Sequence, residues 1–423
     1  MKKKKLKDVK KLKKKTKLGI IVAEILIALI LLIVAAILIM PHSAKVKLLQ
    51  EFTKCAPGRA LITCIGKDDY VKNIMNKDYD RKKVKVNKGV KRKEGYTNIA
   101  LFGVENGVVD LNNRGTSLDK AHSDVIIIVS INNKTSEVRM ASIYRDTVVQ
   151  LPMKEGDTEK KYDRCNVAYF TGGPENAVAM LNMNFDLDIT DYAVVNFNGI
   201  ATIIDALGGI DANITDEELV YVNGYLTETR KLTGMDAPDL TKSGPVHMNG
   251  LQATAYCRIR YANFYDEDGT MYHSDFGRTA RQRFVLKQLL AKAKSAGVTQ
   301  LMDVADTFLK NSTESGAKII ETSLPWEEVL DLIPIAVECN LTNSSGFPGP
   351  DLYTTTPKGT ACYGKLVPYD LCHIVKELHK FLYDQDYSPS SAVKSISQDI
   401  LNYAGVYYTE PESESNSEDS SQQ

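Results

Sequence analysis

The fold is decided by the stretch Asp124-Val-Ile-Ile-Ile-Val-Ser-Ile131, in which six of the eight residues are Val or Ile. Such a run is typical of a strand that is buried on both faces of a sheet. It is preceded by the apolar run Asn98-Ile-Ala-Leu-Phe-Gly-Val104. It is followed by a turn at Asn132-Asn133-Lys134 and then by the run Val138-Arg-Met-Ala-Ser-Ile143. We therefore predict three strands, the last two joined as a hairpin within a larger sheet.

Helix signals alternate with strand signals farther along the chain. A helix is predicted to open at Gly172-Gly173-Pro174-Glu175, because Pro and Glu suit a first helical turn. A strand at Tyr192–Phe197 precedes a short helix at Ile200–Leu207, and a long amphipathic helix is predicted over Phe276–Ala296. This alternation predicts an α/β protein, an α/β/α sandwich with a central mixed sheet.

The balance of 53 basic and 53 acidic residues conceals an uneven distribution of charge. Residues 1–17 hold eleven Lys and one acid, and residues 18–40 hold Glu24 as their one charge. The rest of the chain therefore has 42 bases and 51 acids, a net charge of −9. An acidic body excludes a nucleic-acid-binding domain driven by bulk positive charge, so no nucleic-acid partner is expected.

Residues 18–40 form an apolar run that is long enough for a transmembrane helix, which needs about 20 residues. A cleaved signal peptide is the alternative, but its apolar region usually has ~7–15 residues and the context around Pro41 suits cleavage poorly. The eleven Lys ahead of the run hold the N-terminus in the cytoplasm, next to anionic lipid headgroups of the bilayer. We expect a single-pass protein of the cell membrane, with its N-terminus inside and the chain after residue 40 outside.

Arginines concentrate in one part of this acidic body. Arg258 and Arg260 are two residues apart, and Arg278, Arg281 and Arg283 lie near the start of the long helix. Arginines are unfavourable at a helix N-terminus unless an anion or acids neutralise them. Because guanidinium groups bind phosphate oxygens in pairs, the pattern indicates a pyrophosphate clamp. A set of surface salt bridges is the alternative.

Two pairs of acids are candidates for metal binding. Glu105 and Asp124 follow or begin predicted strands and could hold Mg²⁺ together with phosphate oxygens and water. The alternative for each is a loop acid that caps a turn. Asp186-Leu187-Asp188 is the DxD pattern of many glycosyltransferases, but three residues recur easily by chance.

The chain resembles the LytR-CpsA-Psr family of bacterial cell-wall glycopolymer transferases from about Thr97 to Leu290. No single motif is specific for the family, but the order of the motifs along the chain, behind an N-terminal anchor, is specific. The motifs are Asn98–Glu105, Ser123–Ile131, Ser142-Ile-Tyr-Arg145-Asp146, Asn166-Val-Ala-Tyr169, Gly172–Glu175, Val195-Asn-Phe197, Asp205–Ile210, Asn249-Gly250, Ala255-Tyr256, Arg258-Ile-Arg260, Asp275-Phe-Gly-Arg278 and Arg281-Gln282.

The resemblance implies an enzyme that moves an anionic glycopolymer, such as teichoic acid, from a polyprenyl-pyrophosphate carrier to peptidoglycan through a phosphodiester bond. It implies Mg²⁺ or Mn²⁺ beside the pyrophosphate, and a lipid tail in an apolar tunnel between sheet and helices. The family's roles carry over to catalytic residues Arg145, Arg258, Arg260, Asp275, Arg278 and Gln282, to further substrate contacts Arg281 and His122, and to metal carboxylates Asp124 and Glu105.

Two positions depart from the family pattern. Glu105 stands where the family usually has Asp, so its carboxylate is one methylene farther out. His122 stands where Arg usually precedes Ser-Asp, so that phosphate contact becomes weaker or pH-dependent. The base that accepts the proton of the attacking hydroxyl is left open among Asp124, Asp146 and Asp275.

The sequence predicts six regions. They are a basic cytoplasmic tail (1–17), a transmembrane helix (18–40), a stalk or accessory segment (41–95), the catalytic domain (96–300), a C-terminal part of the extracellular domain (301–408) and a disordered acidic tail (409–423).

Seven cysteines are present, and two pairs, Cys55/Cys64 and Cys362/Cys372, are close enough in sequence to be candidate disulfides, with Cys339 a competitor for the second.

Three other functions compete with the transferase. One is a hydrolase that cleaves the same polyprenyl pyrophosphate with water as the acceptor. Another is a non-catalytic envelope regulator or scaffold, which the departures at Glu105 and His122 would suit. The last is a sugar-nucleotide transferase that uses the DxD acids, Asp186 and Asp188.

Overall fold

The structure is a computed structural model that describes residues 74–105, 121–154, 156–296, 319–329, 332 and 339–407. Within these ranges, no helix has both the length and the apolar character needed to span a bilayer. The predicted transmembrane helix (18–40), the basic tail (1–17) and the acidic tail (409–423) lie outside the described residues, as does the Cys55/Cys64 pair.

Strands and helices alternate along the described chain. The strands are β1 (Tyr96–Val104), β2 (Ser123–Asn132), β3 (Glu137–Ile143), β4 (Val148–Leu151), β5 (Lys161–Arg164), β6 (Asp191–Val195), β7 (Ile210–Ile214), β8 (Gly244–Met248), β9 (Phe264–Tyr265), β10 (Met271–Tyr272), β11 (Ile320–Thr322), β12 (Asn340–Phe347), β13 (Tyr353–Thr354) and β14 (Val367–Pro368). The helices are α1 (Cys165–Phe185), α2 (Phe197–Ala206), α3 (Asp216–Thr233), α4 (Gly250–Tyr256), α5 (Ser274–Ser295), α6 (Leu371–Tyr383) and α7 (Ser391–Ala404).

Six of the strands form the central sheet, in the order β11-β6-β1-β2-β3-β12. The pairs β1/β2 and β2/β3 are antiparallel, whereas β1/β6 and β3/β12 are parallel. The predicted mixed sheet and the predicted hairpin β2/β3 are therefore confirmed. The pairing of β1 with β2 shifts register between Gly103 and Val104, which marks the point where both strands reach the edge that carries Glu105 and Asp124.

The two faces of the sheet are built differently. Alternate residues such as Phe102 and Ile128 point to one face and share a core with α1, α6 and α7. The residues between them, such as Leu101 and Ile127, point to the other face, which α2, α4 and α5 cover around a cavity. Period-two alternation along a strand produces this division. Helices thus cover both faces, as the sandwich prediction requires.

Two local predictions need correction. Helix α1 begins at Cys165 rather than at Gly172, because Gly172 and Gly173 have non-helical backbone angles and only kink it before Pro174. Cys362 and Cys372 are both free, so the candidate disulfide between them is not formed. Cys362 is instead packed in the core shared by α1, α6 and α7.

Candidate functional site

A cavity of about 590 Å³ lies between the second face of the sheet and the helices α2, α4 and α5. Its body is apolar, and its walls come from strand residues of the sheet and from single stripes of the helices. Representative lining residues are Leu101, Ile127, Ile200, Ile203, Val285 and Leu289. An apolar cavity with a few convergent polar groups is the usual form of a ligand site.

The charged groups of the cavity, together with Gln282, come from four separate segments. Glu105 directly follows β1, and Asp124 is the second residue of β2. Arg258 and Arg260 lie in the loop after α4. Two side chains of the first turns of α5, Arg278 and Gln282, complete the set, which we call the arginine mouth: Glu105, Asp124, Arg258, Arg260, Arg278 and Gln282.

Close packing of α4 against α2 holds the loop that carries Arg258 and Arg260. Asn249 and Gln252 form a capping box at the start of α4. At Gly250 a Cβ atom would lie only 1.9 Å from the carbonyl oxygen of Ala201 in α2. Glycine is therefore required here, because any side chain would push the two helices apart.

Asp124 is the anion to which two arginines converge. Arg145 donates to Asp124 Oδ1, and Arg278 Nη1 lies 3.7 Å from Asp124 Oδ2. Burial alone would raise the pKa of Asp124, but Arg278 and Arg145 outweigh burial and hold it below its ordinary value. Asp124 is consequently an ionised carboxylate at neutral pH.

Asp275, in the first turn of α5, is a second acceptor for the same arginines. Arg278 Nη2 lies 2.9 Å from Asp275 Oδ1, Arg260 Nε lies 3.6 Å from the same oxygen, and Arg145 Nε lies 3.8 Å from Oδ2. Asp275 thus neutralises the arginines that the sequence places at a helix start. Arg145 and Asp275 contact members of the arginine mouth, but they do not line the cavity themselves.

Arg278 is the most buried member of the arginine mouth, with only 3% of its surface exposed. Burial lowers the pKa of Arg278, against the opposing effect of Asp275. An arginine pKa begins so high that the group stays charged. A charged guanidinium that is so well buried favours any anion that enters the cavity.

Arg258 is held by α3 and by aromatic rings. Its Nη2 lies 2.8 Å from Glu228 Oε2, and its Nη1 donates to Thr229 Oγ1 at 2.8 Å. The guanidinium carbon lies 5.0 Å from the ring centre of Phe197 and 5.3 Å from that of Tyr225. These cation–π contacts fix the plane of the guanidinium and leave it facing the cavity.

Glu105 and Asp124 are close enough to influence one another. Burial raises the pKa of Glu105, Arg258 opposes the increase, and the charge of Asp124 adds to it. Among the residues that the structure describes, no group of three or more His, Cys, Asp or Glu side chains could hold a metal. Mg²⁺ commonly takes only one or two carboxylates and completes its shell with phosphate oxygens and water. The pair therefore fits a cation that arrives with a phosphate ligand.

Arg281, a predicted substrate contact, does not line the cavity. Arg281 is fully buried on another side of α5, where its Nε and Nη2 donate to Glu218 Oε1 at 3.0 and 2.8 Å. It also donates to the backbone carbonyls of Ala262 and Asn263. These acceptors occupy its guanidinium, so Arg281 fastens α5 to α3 and to the loop after α4.

His122 directly precedes β2 and lies outside the cavity lining. The contact that the structure describes for its ring is a parallel stack on Phe170 of α1, with ring centres 4.6 Å apart. The structure therefore does not bring His122 to the arginine mouth, and its phosphate contact stays a prediction.

The DxD acids are structural. Asp186 caps α1 with a left-handed backbone and accepts hydrogen bonds from Asn87 and from Ser390. Asp188 accepts from the backbone N–H of Lys93 and from Asn98. Both carboxylates serve protein donors and neither lines the cavity, so the structure does not bring the DxD acids to the candidate site.

Sequence reasoning missed Phe197, Tyr225, Glu228 and Thr229, the four residues that hold Arg258. Their partner is about 30 residues or more away along the chain, so no local spacing reveals them. One usable signal was present on α5. Cavity-lining residues recur there as Arg278, Gln282, Val285 and Leu289, a helical stripe from which Arg281 is displaced.

Known proteins resemble this chain over a large part of its length. Biofilm regulatory protein A of Streptococcus mutans serotype c is 28% identical over 243 residues, 56% of this chain and 54% of that protein. The polyisoprenyl-teichoic acid–peptidoglycan teichoic acid transferase TagV of Bacillus subtilis is 29% identical over 215 residues, 51% and 49% of the two chains. The chain thus spans about half the length of these curated relatives.

A solved structure agrees with the fold. Protein gbs0355 from Streptococcus agalactiae superposes with a TM-score of 0.53 at 21% identity, and the match covers 70% of this chain and 91% of that one. The model of one family matches residues 63–323, well over half of the chain and the whole of the arginine mouth. The chain belongs to the LytR_cpsA_psr family.

Proposed function

We propose that this protein is a membrane-anchored phosphotransferase that moves an anionic glycopolymer from a polyprenyl-pyrophosphate carrier to peptidoglycan through a phosphodiester bond. The observation that carries the proposal is the cavity with two unlike ends, an apolar body and a mouth of three arginines. Membership of the family supports it, and so does the name of the relative TagV, a polyisoprenyl-teichoic acid–peptidoglycan teichoic acid transferase.

A polyprenyl pyrophosphate has an apolar hydrocarbon chain and a charged pyrophosphate, which match the apolar body and the arginine mouth of the cavity. Its hydrocarbon chain gains free energy when it leaves water for apolar walls, at about 25 cal/mol per Å². Its phosphates gain from guanidinium forks in a site of low dielectric constant. Arg258, Arg260 and Arg278 supply those forks. Before the ligand enters, Asp275 and Asp124 hold Arg260 and Arg278 in place, and Glu228 holds Arg258.

Mg²⁺ or Mn²⁺ is the cofactor we propose, held by Asp124 and Glu105. The bound cation would neutralise phosphate charge that the arginines do not reach. Asp124 is already ionised at neutral pH because Arg278 and Arg145 lower its pKa. The longer side chain of Glu105 reaches the mouth from the end of β1.

In the transfer step, a hydroxyl oxygen of a peptidoglycan sugar attacks the phosphorus that carries the polymer. The new P–O bond forms as the bond to the bridging oxygen breaks, and polyprenyl phosphate leaves with the electron pair. The arginines stabilise the negative charge that develops on this leaving group. Of the three candidate bases, Asp124 lines the cavity and can take the hydroxyl proton, whereas Asp146 and Asp275 lie outside its lining.

We also propose that residues 18–40 anchor the chain in the cell membrane with the catalytic domain outside. The anchor confines the arginine mouth to the layer in which a lipid-linked donor diffuses. Confinement raises the effective donor concentration without any additional contact.

The test uses the full-length chain in lipid nanodiscs with a polyprenyl-pyrophosphate-linked saccharide donor, Mg²⁺ and peptidoglycan. Arg260→Ala removes a partly exposed arginine of the mouth and should lower transfer roughly 10- to 150-fold, the effect of one charge-assisted contact. Arg230→Ala is the matched control, because Arg230 of α3 is similarly exposed but binds Ala237 and Asp239, which follow that helix. Equal rates in the two variants would refute the assignment of the mouth.

The same assay separates the competing functions. A transferase releases polyprenyl phosphate only when peptidoglycan is present and labels the peptidoglycan. A hydrolase releases the same product with water alone. A regulator, as the name of the Streptococcus mutans relative describes that protein, would bind the donor and convert none of it.

A further inference from the structure

A second groove, of about 420 Å³, lies on α3 beside the arginine mouth. Three tyrosines and two charged residues supply most of its lining. The residues on which the inference depends are Tyr221, Gly224, Tyr225, Glu228 and Tyr261. None of the functions assigned above uses this groove.

The groove is continuous with the mouth. Tyr225 lines both spaces, and Arg258 lies over its ring at 5.3 Å. Glu228, also in the groove, binds Arg258 Nη2 at 2.8 Å. Tyr261 directly follows Arg260 in the loop after α4. A ligand held by Arg258 and Arg260 therefore has the groove as its immediate neighbour.

The groove presents aromatic faces to solvent. The ring centres of Tyr221 and Tyr261 are 6.0 Å apart at an angle of 41°, and 71% of Tyr261 is exposed. Tyr221, Gly224, Tyr225 and Glu228 follow the i, i+3, i+4, i+7 spacing of one helix face. A Cβ atom added to Gly224 would meet nothing within 4 Å, so the floor between the tyrosines is open.

This combination matches the chemistry of a sugar ring. The C–H face of a pyranose packs on an aromatic ring, while its hydroxyls bond to carboxylates and hydroxyl groups at the edge. Glycine within a helix lowers helix stability relative to alanine. Its presence at the floor of the groove leaves room that a flat ring can occupy.

We infer that this groove is a saccharide subsite, and that it holds the sugar joined to the pyrophosphate of the donor. The inference rests on the proposed function. A pyrophosphate bound at Arg258 and Arg260 has its lipid end in the apolar cavity, so its sugar end must leave through the mouth. Tyr225 and Glu228 are the groups next to that exit.

The test measures the affinity of the full-length chain in nanodiscs for two probes, bare polyprenyl pyrophosphate and the same lipid with a disaccharide attached. Tyr261→Ala should weaken binding of the disaccharide probe by roughly three- to tenfold, the effect of one aromatic contact. Binding of the bare lipid should stay unchanged. Tyr363→Ala is the control, because Tyr363 has comparable exposure and lies outside the groove.

A second variant excludes misfolding as the cause. Gly224→Ala adds one methyl group to the floor of the groove and replaces a helical glycine, so its Tm should be at least that of the parent. It should nevertheless weaken binding of the disaccharide probe and leave the bare lipid unaffected.

Three results would overturn the subsite. The first is an unchanged affinity of both variants for the disaccharide probe. The second is an equal loss of affinity for the disaccharide probe and for the bare lipid. The third is a change confined to the KM for peptidoglycan in the transfer assay, which would assign the groove to the acceptor. If the unmodified chain fails to bind bare polyprenyl pyrophosphate, the proposed function fails as well. Binding of that lipid without any effect of the variants refutes the subsite alone.

Discussion

The two faces of the central sheet carry similar apolar residues. One face packs into a filled core, whereas the other borders the cavity. Ile127 and Ile128 are neighbours on β2, and both are fully buried. Ile128 packs into the continuous core with α1, α6 and α7, whereas Ile127 borders the cavity under α2, α4 and α5. Burial alone therefore does not distinguish a residue that fills a core from one that lines a ligand site.

The difference lies in how the helices are held. On the packed face, apolar side chains of α1 and α6 meet the sheet directly. On the cavity face, buried polar pairs such as Arg281–Glu218 fix the helix layer and leave space beneath it. The contrast teaches that a site for an apolar ligand requires a helix layer supported from its sides.

The largest effect is expected for Arg281, which supports α5 over the cavity. Arg281→Met leaves the carboxylate of Glu218 buried and unpaired, so unfolding should become easier by about 3–5 kcal/mol. Urea unfolding followed by fluorescence of Trp326, the single Trp, measures it. The double variant with Glu218→Gln should recover part of the loss, because the unpaired charge is gone. A loss below about 1 kcal/mol would contradict the supporting role.

Next in size is the matched pair on β2. Ile128→Ala should cost about 2–5 kcal/mol, because it opens a hole in a filled core. Ile127→Ala should cost about 1–2 kcal/mol less, since one side of Ile127 already lacks packing partners. Urea unfolding of both variants gives the difference directly. Equal costs would show that the cavity face is packed as tightly as the other.

Added side-chain volume should also cost more stability on the packed face than on the cavity face. Ala141→Leu on the packed face should cost about 1–3 kcal/mol through overpacking. Ala193→Leu on the cavity face should change stability by less than about 1 kcal/mol, because the cavity accepts the extra methyl groups. Thermal unfolding measures both, and binding of polyprenyl pyrophosphate should fall only for Ala193→Leu. Unimpaired lipid binding in that variant would contradict the assignment of the cavity to the lipid.

The smallest effect concerns pH on the packed face. Burial lowers the pKa of His379, whose Nε2 lies 2.9 Å from the carbonyl oxygen of Phe185. The unfolded chain therefore binds the imidazole proton more readily than the folded protein does. The contribution of His379 to the free energy of unfolding should be constant above the ordinary His pKa of about 6.5. Below that pH it should fall by at most about 1.4 kcal/mol per pH unit, until the folded pKa is reached.

Urea midpoints of the parent and of His379→Gln at pH 7.5 and 5.5 measure this slope. The glutamine variant should lose less stability over the interval, because it has no imidazole to protonate. Identical slopes in the two proteins would exclude a contribution from His379.

Much of the fold could be predicted from the sequence. The strands β1, β2 and β3 and the helix α5 lie where local periodicity places them, because strand and helix repeats are properties of short segments. The predicted start of helix α1 lies too far along the chain. Gly172 and Gly173 resemble the start of a helix, but they form a kink inside it.

The sequence predicts the charges of the site, but it predicts less well which residues belong to the site. The arginines at the start of α5 point to an anion site because their like charges need neutralising there. Yet Arg278 faces the cavity and Arg281, three residues later, is locked to Glu218, which is 63 positions away. Spacing on one helix restricts which face a residue occupies, and the partner that meets that face comes from elsewhere.

The sequence by itself determined the kinds of segment, the acidic body with its arginine exception, and the family motifs in their order. Tertiary structure alone decided where space was left, which arginines border it, and that a tyrosine groove continues from it. The physical reason is range. Hydrophobic periodicity acts within a helix or strand, whereas the cavity depends on how segments as distant as Asp124 and Arg278, 154 positions apart, come together.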